Sequence, residues 1–405
     1  MSIIKNNTVE NEIYNVFDQR MERFEEFKKE DAYFYFQEVD SLDGAWVHTK
    51  NARKLMLTTY NYLGLLGDER IDEAAKNAIE KYGSGTHGVR VFGGTLSIHS
   101  QLEKKIAEFT GREDAMTFSS GFMTNVSTIS TLVGRKDWVI SDKLNHASII
   151  DGCILSQAQF KRFKHNDMSD LEKVLRQAPE NCTKLVVADA VFSMDGDIFN
   201  LPDAVELCRK YNALLMIDEA HSVGVIGETA HGIEEHFGIP GVIDIKMGTL
   251  SKAIPAIGGY IAGKERLINY MRHTARGSVF SAALPPPVVA AALKAFEIIE
   301  EEGNQLRKVL NTNVKYFIEN LKKMGFNTGL TETPIVPIML GEDSKAVHMT
   351  RICQENNIFI LPVLTPAVAP GTARLRVNVT AKHTIEEIDY VLEVIARGGK
   401  QLGII

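Results

Sequence analysis

The stretch from Lys184 to His221 alternates in a way that few folds accept. KLVVADAVF is a run of apolar and β-branched residues with no polar face. PDAVELCRKYN follows as a helix opened by proline, and ALLMIDEAH then repeats the apolar run. A strand without a polar face must be covered on both sides. Two such strands joined through a helix lie parallel, with helices packed over the sheet. The same alternation begins near residue 70, where IDEAAKNAIEKYG reads as an amphipathic helix stopped by Gly83. The predicted class is α/β, built on a parallel sheet covered by helices.

Three consecutive prolines, Pro285–Pro287, open the long helix of LPPPVVAAALKAFEIIEEEG. They are read as the entrance to a second unit with its own helices, and with strands near TPIVPIML and ARLRVNVT. The expected division is an N-terminal arm over 1–57, a large domain over 58–286 and a small C-terminal domain over 287–405. Among 405 residues the formal net charge is −7, and basic residues are interspersed with acids. That pattern argues against a nucleic-acid surface. Cys153, Cys182, Cys208 and Cys353 show neither a CxxC pair nor cysteine–histidine ligand spacing, so no metal site or disulfide framework is expected. The start has no apolar signal core, and no apolar run reaches the roughly 18 residues of a membrane span. A soluble, cytoplasmic protein is the expectation.

In open parallel sheets, ligands bind beyond the carboxyl ends of the strands. Three groups fall at such ends. Asp218, with His221 after it, closes an apolar strand, where a carboxylate is costly unless paired. It can cap the next turn, or hold a ring nitrogen protonated with His221 as polar support. TFSSGFMTNVSTI (117–129) sets two serines and a glycine before a helix. Free N–H groups and the helix dipole there favour a phosphate, although serine N-capping alone yields the same string. No Walker phosphate loop is present. Lys252 is the only charge in MGTLSKAIPAIGGYIAG (247–263). A desolvated lysine is a nucleophile towards aldehydes. Thr249 and Ser251 supply hydroxyls beside it, and Gly258 and Gly259 allow close backbone approach. An aldehyde-binding lysine, a phosphate cradle and a carboxylate for a pyridinium together describe pyridoxal 5′-phosphate (PLP).

The ordered motifs extend this reading. NYLGL (61–65), GSGTHGVRVFGGTLSIHSQLE (83–103), SSGFMTN (119–125), NHASIIDG (145–152), VFSMDGD (191–197), DEAHSVGVIG (218–227), GTLSK (248–252), FSAALPP (280–286) and RLRVNVTAKHT (374–384) span nearly the whole chain. By these motifs the chain resembles the α-oxoamine synthase family. Within it, IFNLPDAVELCRKYNALLMIDEAHSVGVIG and TPIVPIMLGEDSKAVHMTRICQENNIFILPVLTPAV look most similar to the bacterial serine palmitoyltransferase branch. The resemblance implies the type I aminotransferase fold. That fold has a large cofactor-binding domain, with a mainly parallel seven-stranded sheet between helices, and a smaller α+β C-terminal domain.

The implied reaction is a PLP-dependent, decarboxylating condensation of serine, alanine or glycine with an acyl thioester, carried by coenzyme A or a carrier protein. Its products are an α-amino ketone, carbon dioxide and a free thiol. An 8-amino-7-oxononanoate synthase or glycine C-acetyltransferase activity on the same scaffold is the nearest alternative, and a non-catalytic subunit a more distant one. The implied roles follow residue by residue. Lys252 would bind the cofactor aldehyde and later act as base at the substrate α-carbon. Asp218 would pair the ring nitrogen, His221 contact the phenolic oxygen, and His146 stack on the ring and donate to the thioester carbonyl. Ser193 would support the ring edge. Ser120, Gly121, Phe122, Thr249 and Ser251 would surround the phosphate, helped by Ser281 from the partner of a homodimer with shared active sites. Arg376 would bind the amino-acid carboxylate, and His87 would lie on the acyl-carrier side. One position departs from the family: Tyr60 stands where an asparagine is usual, which opens the question of the amino acid.

Overall fold

The structure, a computed structural model, describes residues 9–50 and 52–405. Residues 1–8 of the expected N-terminal arm, and residue 51, lie outside the described residues. Seven strands form the main sheet: β1 (Asp114–Phe118), β2 (Trp138–Asp142), β3 (Gln159–Phe163), β4 (Lys184–Asp189), β5 (Leu214–Asp218), β6 (Ile245–Ser251) and β7 (Pro255–Gly263). Their spatial order is β1-β7-β6-β5-β4-β2-β3. Strand β7 is antiparallel to both neighbours, and every other pair is parallel.

Apolar residues on both faces of the central strands give the sheet two cores. Along β4, Leu185 and Val187 pack on one side, with Ile129 from helix α1 (Gly121–Leu132) and Ile149 from helix α2 (Ala147–Leu155). Val186 and Ala188 pack on the other, in the cluster that holds Leu201 and Val205. All six residues of β4 are buried, as KLVVAD predicts. Leu185→Ala should therefore cost about 2–5 kcal/mol of stability. A denaturant midpoint that barely moves would show that this face is not close-packed.

Helix α3 (Pro286–Lys323) starts within the proline run, where proline's fixed φ suits a first helical turn. Beyond it, strands Ile335–Gly341, Ala373–Asn378 and Pro362–Val363 make a three-stranded antiparallel sheet in the smaller C-terminal domain. A further sheet joins Ser41–Asp43, Trp46–Thr49 and Ala52–Met56 to Ile358–Phe359, with Leu55 opposite Ile358 in parallel register. The N-terminal strands, expected as part of an arm, are thus stitched to the C-terminal part of the chain. Among the described residues no helix is long and apolar enough to cross a membrane.

Candidate active site

The strand ends deliver the predicted groups to one place. Asp218 is the last residue of β5, and Lys252 follows the last residue of β6. Between β7 and helix α1 the backbones nearly touch. A Cβ on Gly259 would lie 2.4 Å from Thr124 Oγ1 and 2.8 Å from Gly121 Cα, so only glycine fits there. Ser120 caps α1 by accepting the Met123 N–H at 3.1 Å, the capping role that the sequence left open. It also lines a cavity of about 310 Å³ with Gly121, Phe122, His146, Asp218, His221, Thr249, Ser251 and Lys252. A larger groove, about 990 Å³, opens at the opposite end of the sheet around Thr183, Lys184 and Leu214, and gathers none of these groups.

Each charged or titratable group in the cavity is held from behind. Asp218 accepts from Asn125 Nδ2 at 2.7 Å and from the Ala220 N–H at 2.9 Å. Lys252 Nζ lies 2.8 Å from His221 Nε2, and His221 Nδ1 lies 2.8 Å from the Tyr62 hydroxyl. Burial, together with the positive charges of Lys252 and Arg376, holds His221 well below its ordinary range, so the imidazole is neutral. Burial also lowers Lys252 to about 8, against the pull of Asp218 and Asp189. His146 caps α2. Its Nδ1 lies 2.7 Å from Ser148 Oγ and accepts the Ser148 N–H at 3.2 Å, which leaves the proton of the neutral ring on Nε2. Burial lowers the His146 pKa as well.

Tyr60 and Arg376 form the adjoining wall. The half-exposed Tyr60 ring lies 5.1 Å from the Arg376 guanidinium and 5.5 Å from Lys252 Nζ. Arg376 Nε donates to the Ser193 carbonyl, while its buried Nη2 has no partner among the described residues. A buried guanidinium edge left free is suited to a carboxylate. Ser193 meets this wall through its carbonyl rather than lining the cavity. His87 is exposed, and Ser281 lines a separate recess with Arg90 and Thr117, so this chain alone does not bring either into the cavity.

The donor set fits PLP: an amine for the aldehyde, a braced carboxylate for the ring nitrogen, and hydroxyls at a helix N-terminus for the phosphate. The class I and II aminotransferase model matches residues 52–395. The chain belongs to that family. Among relatives, the 8-amino-7-oxononanoate synthase of Thermoanaerobacter pseudethanolicus is 45% identical over 385 residues, covering 95% of this chain and 97% of that protein. The serine palmitoyltransferase of Bacteroides thetaiotaomicron is 42% identical over 381 residues, covering 94% and 96%. Among solved structures, the serine palmitoyltransferase of S. paucimobilis, solved with PLP and myriocin bound, aligns with a TM-score of 0.93 at 33% identity, covering 96% of this chain and 99% of that one. These relatives place the chain in the α-oxoamine synthase group that its motifs indicate, with the type I aminotransferase fold.

For this family member, sequence reasoning passed over Asn125, Ser148, Tyr62 and Asp189. Asp189 ends β4 directly opposite Asp218 on β5 and accepts the His146 N–H at 3.0 Å. Burial and the nearby Asp218 charge push its pKa well up. The signal was available, because KLVVAD ends on aspartate just as LLMID does. Asn125 had a signal too: it lies four residues past Gly121, one helical turn from the cap.

Proposed function

We propose that the chain catalyses the decarboxylating condensation of a small amino acid (serine, alanine or glycine) with an acyl thioester, giving an α-amino ketone, carbon dioxide and a free thiol. The observation that carries this is the convergence of Lys252, Asp218, His221 and His146 on one cavity, beside a guanidinium with a free edge. PLP, when bound, supplies the electron sink that makes the amino acid's α-proton removable. Lys252 would hold its aldehyde, Asp218 would keep its ring nitrogen protonated, and Ser120, Thr249 and Ser251 would hold its phosphate. The free edge of Arg376 takes the amino-acid carboxylate. As a free amine, Lys252 Nζ would accept the amino acid's α-proton, a role for which an amine near neutrality is suited. His146 Nε2–H donates to the thioester carbonyl oxygen as charge develops on it. A matrix of amino acids against acyl thioesters, scored by carbon dioxide and thiol release, tests the reading. No turnover with any pair would overturn it.

The finer points belong to the same proposal. The reactions named for both sets of relatives fall within it, with coenzyme A or a carrier protein bearing the acyl group. The site is shared within a cytoplasmic homodimer, with Ser281 and the loop over 83–95 supplied by the second copy. The exposed rings of Phe92 and Phe280 support that arrangement, because Val89 and Ala282 bridge their two segments into one surface. The non-catalytic alternative is disfavoured by the presence of all four catalytic groups.

Two measurements bear on the amino-acid side. Tyr60→Asn removes a ring that contacts two cations, an interaction worth about 0.5–2 kcal/mol. The amino-acid KM should rise roughly tenfold, with altered preference among serine, alanine and glycine. Unchanged values would show that Tyr60 is a bystander. The lowered pKa of Lys252 predicts that kcat, which reports the amino-acid complex where the amine is free, climbs with pH and levels off above about 8, because only the unprotonated amine is a base. A flat profile from pH 6.5 to 9 would contradict that assignment.

A further inference from the structure

Three loops leave the carboxyl ends of β2, β3 and β4 side by side, and one imidazole sits among them. His165, just beyond β3, places Nδ1 3.0 Å from Asp142 Oδ1 and Nε2 3.0 Å from Asp197 Oδ2. Asp142 ends β2, is fully buried, and also accepts the N–H groups of Leu144 and Asn166 at 2.8 and 2.7 Å. Asp197 lies in the loop after β4 and keeps its second oxygen buried without a partner. The Phe192 ring closes a third side at 4.4 Å between centroids. A neutral imidazole carries one N–H and would turn a lone pair towards one of the carboxylates. Only the imidazolium, with two N–H groups, satisfies both. Burial opposes the charge, but the hydrogen bonds and charges of Asp142 and Asp197 outweigh it and raise the pKa to about 10.

The two carboxylates belong to segments that lead into the active site. Beyond Asp142 the chain runs directly to Asn145 and His146; Asn145 is anchored on the Val187 carbonyl at 2.8 Å. Asp197 ends the turn that begins at Ser193, whose carbonyl receives Arg376. The C-terminal domain grips that same turn. Thr333 Oγ1 donates to the Gly196 carbonyl at 2.9 Å, and Arg374 pairs with Asp195 at 2.7 Å. The Ser193–Asp197 turn is therefore held by the C-terminal domain from one side and by His165 from the other.

We propose that His165 is a positioning residue, a clamp that fixes the loop carrying His146 against the turn that seats Arg376. It sets the separation between the donor to the thioester and the seat of the amino-acid carboxylate, and so rests on the condensing reading above. It touches no reacting atom.

The test uses the PLP-loaded enzyme. Nitrogen-15 NMR of the wild-type histidines at pH 8 should show both His165 ring nitrogens protonated. His165→Gln should weaken amino-acid binding by tenfold or more, while PLP affinity changes less than twofold. Adding Asp197→Asn, which removes the carboxylate left without its cation, should recover a substantial part of that loss. A singly protonated ring overturns the clamp. So does a His165→Gln variant that loses PLP and amino acid equally, since that is the mark of a general packing role. A wild-type chain that binds no small amino acid would instead sink the condensing reading and this role with it, while the ring's protonation state still reports on the clamp itself.

Discussion

Lys252→Ala should abolish turnover by at least about 10³-fold while the protein still folds. The amine has two duties in one cavity, holding an aldehyde and accepting a proton, and a positioned base alone contributes about 10²–10⁴-fold. Removal of the side chain leaves His221 without its 2.8 Å neighbour but still bonded to Tyr62. It also removes a half-buried cation, so the melting temperature should stay level or rise. The measurements are thiol release on the best substrate pair, and absorbance of protein-bound PLP. Activity within tenfold of wild type would remove Lys252 from the chemistry. Added primary amines should restore a small fraction of the rate if the missing function is the base.

Asp218→Asn should cost roughly 10²–10³-fold in kcat, the range seen when one preorganised electrostatic partner is lost. Asparagine preserves the shape, and its amide oxygen can still accept the N–H of Ala220. What it lacks is the negative charge that favours a protonated ring nitrogen. The variant should bind PLP, with the absorbance of the bound group shifted, and should retain amino-acid affinity within a few-fold because Arg376 is untouched. An equal loss of affinity and turnover would mean that Asp218 is mainly a brace for Asn125.

Much of this was legible in the residues, for identifiable reasons. Strand β4 and its neighbours could be read because strands buried on both faces cannot hide their pattern, and Lys252 because a lone charge in an apolar run demands a use. Ser120 caps its helix, as one of its two readings had it, and the same geometry turns it towards the cavity where a phosphate is proposed. Other features depend on distant segments. Nothing near Arg376 signals that its Nε is taken by a carbonyl 183 residues earlier, leaving one edge free. The pairing of Ala52–Met56 with Ile358–Phe359 is equally silent, because a two-residue strand has too little pattern to announce itself. His165 looks like an ordinary polar loop residue until three strand ends are brought side by side.

That pairing also bears on how the chain is made. Strand Ala52–Met56 leaves the ribosome early, but the backbone groups that complete its parallel edge are encoded some 300 residues later. At about 5–20 residues per second, it waits roughly 15–60 s with that edge open. The main sheet, Asp114 to Gly263, is synthesised within that interval and has all its partners to hand. The order of assembly is thus inverted relative to the order of translation: the central sheet can settle first, and the two segments that flank it close together last.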